Sequence, residues 1–225
     1  AQRIAETMGD DIAGICTINE ANIGRVLTSS GMLPSLDKLQ ATSGWQEAAN
    51  ALQLKPEQFM PFMFAISDQG KTTVMNAHRL AVAAIKAVKP DLPCGLTLAV
   101  QDIVPGPGGE ALAAQHRQDV NEVYLEELTH DDFVGVQCYT RHRYDAIGPM
   151  GPEAGVELTD MGYEFWPEAL ESSIRQAHAT TGIPVLVTEN GVATDNDERR
   201  IEFVERALSG VQKCLQDGLP VIGYT

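Results

Sequence analysis

Pro184-Val185-Leu186-Val187-Thr188-Glu189-Asn190-Gly191 is an apolar run that ends on a carboxylate. Val185, Leu186 and Val187 do not alternate with polar residues, which is the pattern of a parallel strand covered on both faces. Downstream, Ile201, Val204, Leu208, Val211 and Leu215 recur at helical spacing before Gly218 and Pro220. Upstream, Ala169, Leu170, Ile174 and Ala177 do the same between Pro167 and Gly182, a residue for the first turn and a C-terminal cap. A strand between two helices is the repeating unit of an α/β protein.

Working outward, similar runs lie at residues 12–18, 94–100, 133–139 and 220–224. Val74, Ala77, Ala81, Ala84, Ile85 and Val88 predict a helix that Pro90 stops, and a further helix is expected over residues 110–128. Residues 1–8 read as the tail of another. Residues 21–70, with Gly24, Gly31, Pro34, Gly44 and Pro61, read as one long irregular excursion, of the kind that is usually functional. β-then-α units with right-handed crossovers leave two architectures, an open doubly wound sheet or a (β/α) barrel. Five strands are read and a closed barrel needs eight. No internal repeat or low-complexity tract interrupts the chain, so residues 1–225 are expected to form a single domain. The chain starts at Ala1 and stops inside a strand-like run, so both ends are expected to be cut.

With 44% hydrophobic and 21% charged residues, the 225-residue chain has the composition of a globular protein with a sizeable core. No apolar run approaches the ~20 residues that a membrane-spanning helix needs. The 31 acidic residues against 16 Lys and Arg give a formal charge of -15, which argues against a nucleic-acid partner. Cys16, Cys94, Cys138 and Cys214 show no C-x-x-C spacing and read as small buried thiols, as in a reducing cytoplasm. Among the five histidines no H-x-x-x-H ligand spacing occurs; His78 and His178 fall within helices and read as structural or surface residues. No metal site is expected.

Two strand ends could carry chemistry. Ile15-Cys16-Thr17-Ile18-Asn19-Glu20 and Val185-Leu186-Val187-Thr188-Glu189 each place a glutamate where an apolar strand leaves the core, the face on which α/β enzymes build their sites. A glutamate there needs solvent or a polar cavity, because burying its charge unpaired is costly. Either one alone could be a loop carboxylate that caps a helix or pairs with an arginine. Two together, each beside Thr and Asn, suit a pair that shares one substrate. Glycoside hydrolysis needs such a pair, one carboxyl protonated and one ionised.

Thr17-Ile18-Asn19-Glu20 resembles the T-x-N-E-P acid/base motif of family 1 glycoside hydrolases, the β-glucosidase and β-galactosidase group, and Thr188-Glu189-Asn190-Gly191 matches that family's T-E-N-G nucleophile motif. Phe133-Val134-Gly135-Val136-Gln137-Cys138-Tyr139-Thr140 is similar to its F-x-G-x-N-Y-Y-T strand. Met161-Gly162-Tyr163-Glu164-Phe165-Trp166-Pro167-Glu168 resembles its M-G-W-E-I-Y-P-E segment, and Asp217-Gly218-Leu219-Pro220-Val221-Ile222-Gly223-Tyr224 its D-G-V-x-V-x-G-Y lead-in to the last barrel strand. The motifs keep the family's order over nearly all of the chain.

The resemblance implies a (β/α)8 barrel, here incomplete, with the five runs as strands four to eight. Strands one to three and the C-terminal tail, which supply a Gln, an Arg, a His-Trp pair, a Trp and a Glu to the family's sugar pocket, are absent. It further implies a cofactor-free retaining β-glycosidase acting on small β-glucosides or oligosaccharides. Glu189 would be the nucleophile and Glu20 the acid/base; Asn19, Tyr139 and Gln137 would be substrate-site residues. Asn19 would hydrogen-bond the sugar 2-hydroxyl and Tyr139 would hold Glu189 in line. Carboxyl groups ~5–5.5 Å apart give retention and ~6.5–9.5 Å inversion, so retention rests here on the resemblance. The chain departs from the pattern at Ala21, where the family has Pro, at Gln137, where it often has Asn, and at the packing positions Cys138 and Tyr163. Arg141 and Arg143 are expected to pair with acids in a solvated turn; a contact to the leaving group is the other reading. A non-catalytic carbohydrate-binding fragment and a 6-phospho-β-glycosidase on the same fold are the alternatives. The isolated chain is expected to hydrolyse little, because its first strand would be an open edge.

Overall fold

The computed structural model describes residues 1–225. In chain order its elements are α1 (Gln2–Met8), β1 (Ile15–Cys16), α2 (Ile23–Ser29), α3 (Leu36–Gln40), α4 (Ser43–Ala51), α5 (Asp68–Lys86), β2 (Cys94–Ala99), β3 (Asp102–Pro105), α6 (Glu110–Arg117), α7 (Val123–Leu125), β4 (Phe133–Gln137), β5 (Arg141–Tyr144), α8 (Ala169–Thr181), β6 (Val185–Glu189), α9 (Asp197–Gln216) and β7 (Val221–Tyr224). Five strands form one sheet in the order β1-β2-β4-β6-β7, every pair parallel. A doubly wound sheet reverses its strand order at a switch point. This sheet never doubles back, which is the order of consecutive units around a barrel. It stays open at β1 and β7.

β2 and β4 are buried along their whole length, while β1 and β7 are only partly covered. Leu96, Leu98, Val134, Val136, Val185 and Val187 share one core with Leu170 and Ile174 of α8 and Phe203 and Ala207 of α9. Phe165 meets Phe203 edge-on, with ring centroids 5.3 Å apart, a favoured aromatic geometry. The helix ends follow local chemistry. Ser67 Oγ accepts from Gly70 N at 3.0 Å ahead of α5, and Asn196 Oδ1 accepts from Glu198 N at 2.9 Å ahead of α9. Gly182 closes α8 at φ 72°, the left-handed cap for which glycine is suited.

Two slips in register matter for the site. Val136 is paired with Val187, yet Gln137 is paired with Glu189, so Thr188 is an extra residue on β6. Between β6 and β7, Leu186 is paired with Gly223 and Ile222 is passed over. Such bulges bend a strand and re-aim its side chains.

The five expected strands are present, although only Ile15 and Cys16 of the first run pair as strand. The excursion over residues 21–70 is more regular than its glycines and prolines predict. It holds α2, α3 and α4 and a 3-10 turn at Phe62–Phe64, short helices whose apolar spacing is too brief to read. The helix expected over 110–128 is interrupted by a π-helical turn at Gln118–Glu122. There Asn22 Nδ2 donates to Val120 O at 2.8 Å, a side chain inserted into the helical hydrogen-bond ladder. β3 and β5 were not expected; they form a two-stranded parallel ribbon beyond the ends of β2 and β4. All four cysteines are free, and three are buried as expected, but Cys16 on the edge strand is exposed.

Candidate active site

Glu20 follows β1 and Glu189 ends β6, so both stand at the C-terminal edge of the sheet, two strands of the sheet lying between them. The bulge at Thr188 sets Glu189 directly across from Gln137. Gln137 is 1% exposed, and its Nε2 donates to Glu189 Oε1 at 2.6 Å and to Asn19 Oδ1 at 2.8 Å. Both partners are acceptors, so this orientation of the amide is the one that avoids repulsion. Tyr139 Oη donates to the other carboxylate oxygen, Glu189 Oε2. Each oxygen of Glu189 therefore has a neutral donor, which holds an anion in place without neutralising it.

Glu20 is in a different setting. Its side chain is half-buried and takes part in no hydrogen bond within the chain, and its backbone lies at φ 46°, in the left-handed region. Burial raises its carboxyl above the usual range, and the charge of Glu189 raises it further. The two acidic groups thus sit in unlike settings, Glu189 between two neutral donors and Glu20 biased toward its protonated form. Burial also pushes the Tyr139 phenol up, and its bond to Glu189 adds to that, so the hydroxyl stays a donor.

A cavity of about 410 Å³ opens beside the pair. Glu20 and Tyr139 line it together with Ile23 and Leu27 of α2, Met161 and Val192, a mostly apolar wall. His142 also faces it, and burial lowers that imidazole's affinity for a proton. Glu189, Gln137 and Asn19 do not line this cavity. Asn19, just after β1, is exposed.

All five residues expected at the site are brought to one edge, with one difference from expectation: Gln137 is buried and spent on Glu189 and Asn19, so it reaches a substrate only through them. Arg141 is likewise committed. Its guanidinium meets Glu164 at 2.5 Å and Glu153 at 2.6 Å and lies 3.5 Å from the Trp166 ring centroid. That favours the expected acid pairing over a leaving-group contact, though the side chain is buried rather than solvated. His78 is structural: its Nδ1 bonds Thr17 Oγ1 at 2.7 Å and its Nε2 bonds Asp131 Oδ1 at 3.2 Å.

Three polar residues near the pair were given no role of their own by the sequence. Asn22 is fully buried; its Nδ2 donates to Ala99 O at 3.0 Å and its Oδ1 accepts from Ala99 N at 2.9 Å, anchoring the start of α2 just after Glu20. Asn190 Nδ2 donates to Cys138 O at 2.6 Å and its Oδ1 accepts from Tyr224 at 3.0 Å, bracing the residue next to Glu189. Thr97 of β2 touches the Glu20 turn. The signal for Thr97 was a lone hydroxyl in the apolar run Leu96-Thr97-Leu98.

Residues 128–225 match the family described as Glycosyl hydrolase family 1. A β-galactosidase from Pyrococcus woesei is 32% identical in an alignment 120 residues long that covers 43% of this chain and 23% of that protein. A β-galactosidase from Sulfolobus acidocaldarius is 25% identical in an alignment 194 residues long that covers 72% of this chain and 39% of that protein. The crystal structure of β-glycosidase BGL167 superposes with a TM-score of 0.91 at 43% identity, over 99% of this chain and 54% of that one. The apo structure of a β-glucosidase named 1317 gives 0.82 at 32% identity, with the same two coverages of 99% and 54%. The chain thus spans well under half of the curated relatives and about half of the solved structures it matches. The fold is an incomplete (β/α)8 barrel, with about five of the eight β/α units present.

Proposed function

We propose, from the premise that this is a partial chain of the glycosyl hydrolase family 1 type, that the whole protein is a retaining β-glycosidase with β-glucosidase-like activity. Glu189 attacks the anomeric carbon and forms a glycosyl-enzyme; Glu20 first protonates the departing oxygen and then acts as base on the incoming water. Asn19 grips the sugar 2-hydroxyl, and Tyr139 and Gln137 hold Glu189 in line. No cofactor enters these steps. Residues 1–225 are one partial catalytic domain, and the isolated chain, with β1 and β7 as open edges, turns over little.

The observation that carries this reading is the unlike setting of the two carboxyls. Glu189 has a neutral donor on each oxygen, while burial and its neighbour's charge bias Glu20 toward the protonated form. A nucleophile and an acid need that division at one pH.

The test is to incubate the whole protein with a 2-fluoro-2-deoxy-β-glucoside, which slows release of the glycosyl-enzyme, and to map the adduct by mass spectrometry. One adduct on Glu189 is expected. An adduct on Glu20 would reverse the roles, and substrate turnover with no adduct at all would speak against the covalent route.

A further inference from the structure

Thr97 lies on β2, between β1 and β4, and is 3% exposed. Its backbone N–H donates to Ile18 O at 3.3 Å, and its carbonyl accepts from Ala21 N at 3.1 Å. Its hydroxyl accepts from Glu20 N at 3.0 Å. The one hydroxyl proton has Ile18 O at 3.2 Å and Asn19 Oδ1 at 3.3 Å within reach. One residue thereby ties down the whole turn from Ile18 to Ala21.

That turn is the one with a strained backbone. Glu20 at φ 46° is one of two non-glycine residues with positive φ, the other being Gln53. A non-glycine residue persists there only where its surroundings over-determine it. The restraint on the Glu20 amide is the Thr97 hydroxyl, and Ala21 next to it lacks the ring that would stiffen the loop. Space around Thr97 is also tight: a Cβ on Gly135 of the neighbouring strand would come within 2.6 Å of Thr97 Cγ2.

We propose that Thr97 is a positioning residue for Glu20, its hydroxyl holding the left-handed backbone that aims the acid/base carboxyl at the departing oxygen. It acts through Glu20 and touches neither the sugar nor the reacting atoms. The proposal deepens the reading of the site given above and rests on it.

General acid catalysis matters when the leaving group is a poor one and hardly at all when it departs unaided. Loss of the hydroxyl therefore has a signature that a loss of general stability lacks. In the whole protein, Thr97→Val is expected to lower kcat/KM for phenyl β-glucoside about tenfold or more. For dinitrophenyl β-glucoside it stays within about twofold, because Asn19 is still held by Gln137. Thr97→Ser, which keeps the hydroxyl, restores the shallow dependence on leaving group. Should Thr97→Val fail to fold, Thr97→Ala removes the same hydroxyl without adding volume and is read in the same way.

Glu20→Ala is the reference and gives the same steepening with larger size. If Glu20→Ala shows that steepening and the Thr97 variants lose equally on both substrates, or lose nothing, Thr97 is structural and the proposal falls alone. If Glu20→Ala itself shows none, the assignment of Glu20 falls and takes the proposal with it.

Discussion

Gln137 faces Glu189 across a one-residue slip between β4 and β6, and its Nε2 donates to Glu189 Oε1 at 2.6 Å. Had the two strands kept register, Thr188 would stand opposite Gln137. The bulge is what turns a buried glutamine into a support for a carboxylate. The same Nε2 reaches Asn19 Oδ1 at 2.8 Å, so one amide nitrogen ties the residues that follow β1 to the end of β6.

Replacing Gln137 by Met keeps the length of the side chain and removes both bonds. The whole protein carrying Gln137→Met should form its 2-fluoroglycosyl adduct about 10²-fold more slowly, the size of effect seen when one preorganised donor is lost. Gln137→Asn, one methylene shorter, cannot span both partners and should fall between the two. Because the loss would act on the proposed nucleophile, it should be equal for good and poor leaving groups. A loss confined to poor leaving groups would place Gln137 with Glu20 instead.

Tyr139→Phe removes the donor on the other oxygen of Glu189. Its kcat should fall by about 10²-fold with little change in the melting temperature, since the ring is retained. Burial and the bond to Glu189 push the Tyr139 phenol up, so it does not ionise across the working range. The alkaline limb of the pH profile should therefore keep its position in Tyr139→Phe. Movement of that limb would mean that the phenol itself titrates in the wild type.

On the roles proposed above, the alkaline limb belongs instead to Glu20. Its carboxyl is raised by burial and, next, by the charge of Glu189, and as the acid it would carry a proton in the first step. The rate of that step should fall as pH rises through this elevated value. Removing the neighbouring charge removes one of the two raising causes, so Glu189→Gln should move Glu20 back toward the ordinary carboxylate range. Following the Glu20 carboxyl by ¹³C NMR in the wild type and in Glu189→Gln tests the sign. An absent shift would mean that the two carboxyls do not sense one another, and an upward one that their coupling has the opposite sign.

The sheet was legible because parallel strands buried on both faces announce themselves as unbroken apolar runs, and four of the five keep at least four paired or strand residues. β3 and β5 were not, since Arg141 and Arg143 read as residues of a solvated turn and pair only because the ends of β2 and β4 bring them beside β3. The two glutamates stood out as carboxylates at strand ends, and the structure brings both to one edge of the sheet. What could not be read was who holds them. Gln137 reaches Glu189 through a bulge at Thr188, and Thr97 reaches Glu20 through a left-handed turn. Neither a register slip nor a positive φ at a non-glycine residue leaves a mark in composition or periodicity.

Arg141 supplies the last prediction, which concerns stability. Its side chain is 9% exposed and that of Glu164 is 5% exposed, with Nε and Oε2 2.5 Å apart. Glu164 Oε1 also accepts from Glu153 N at 2.6 Å, and the guanidinium lies over the Trp166 ring. Removing one partner of such a pair leaves a buried charge uncompensated, which destabilises by about 3–5 kcal/mol. Arg141→Met, which keeps the apolar stem against Trp166, should lower the unfolding free energy of the whole protein by that order. Adding Glu164→Gln removes the stranded charge and should recover part of the loss, a coupling that a double-mutant cycle measures. Neither change should alter the dependence of kcat/KM on the leaving group, because the guanidinium is already spent on Glu164 and Glu153. A selective loss on acidic aglycones in Arg141→Met would instead show that this arginine reaches the substrate.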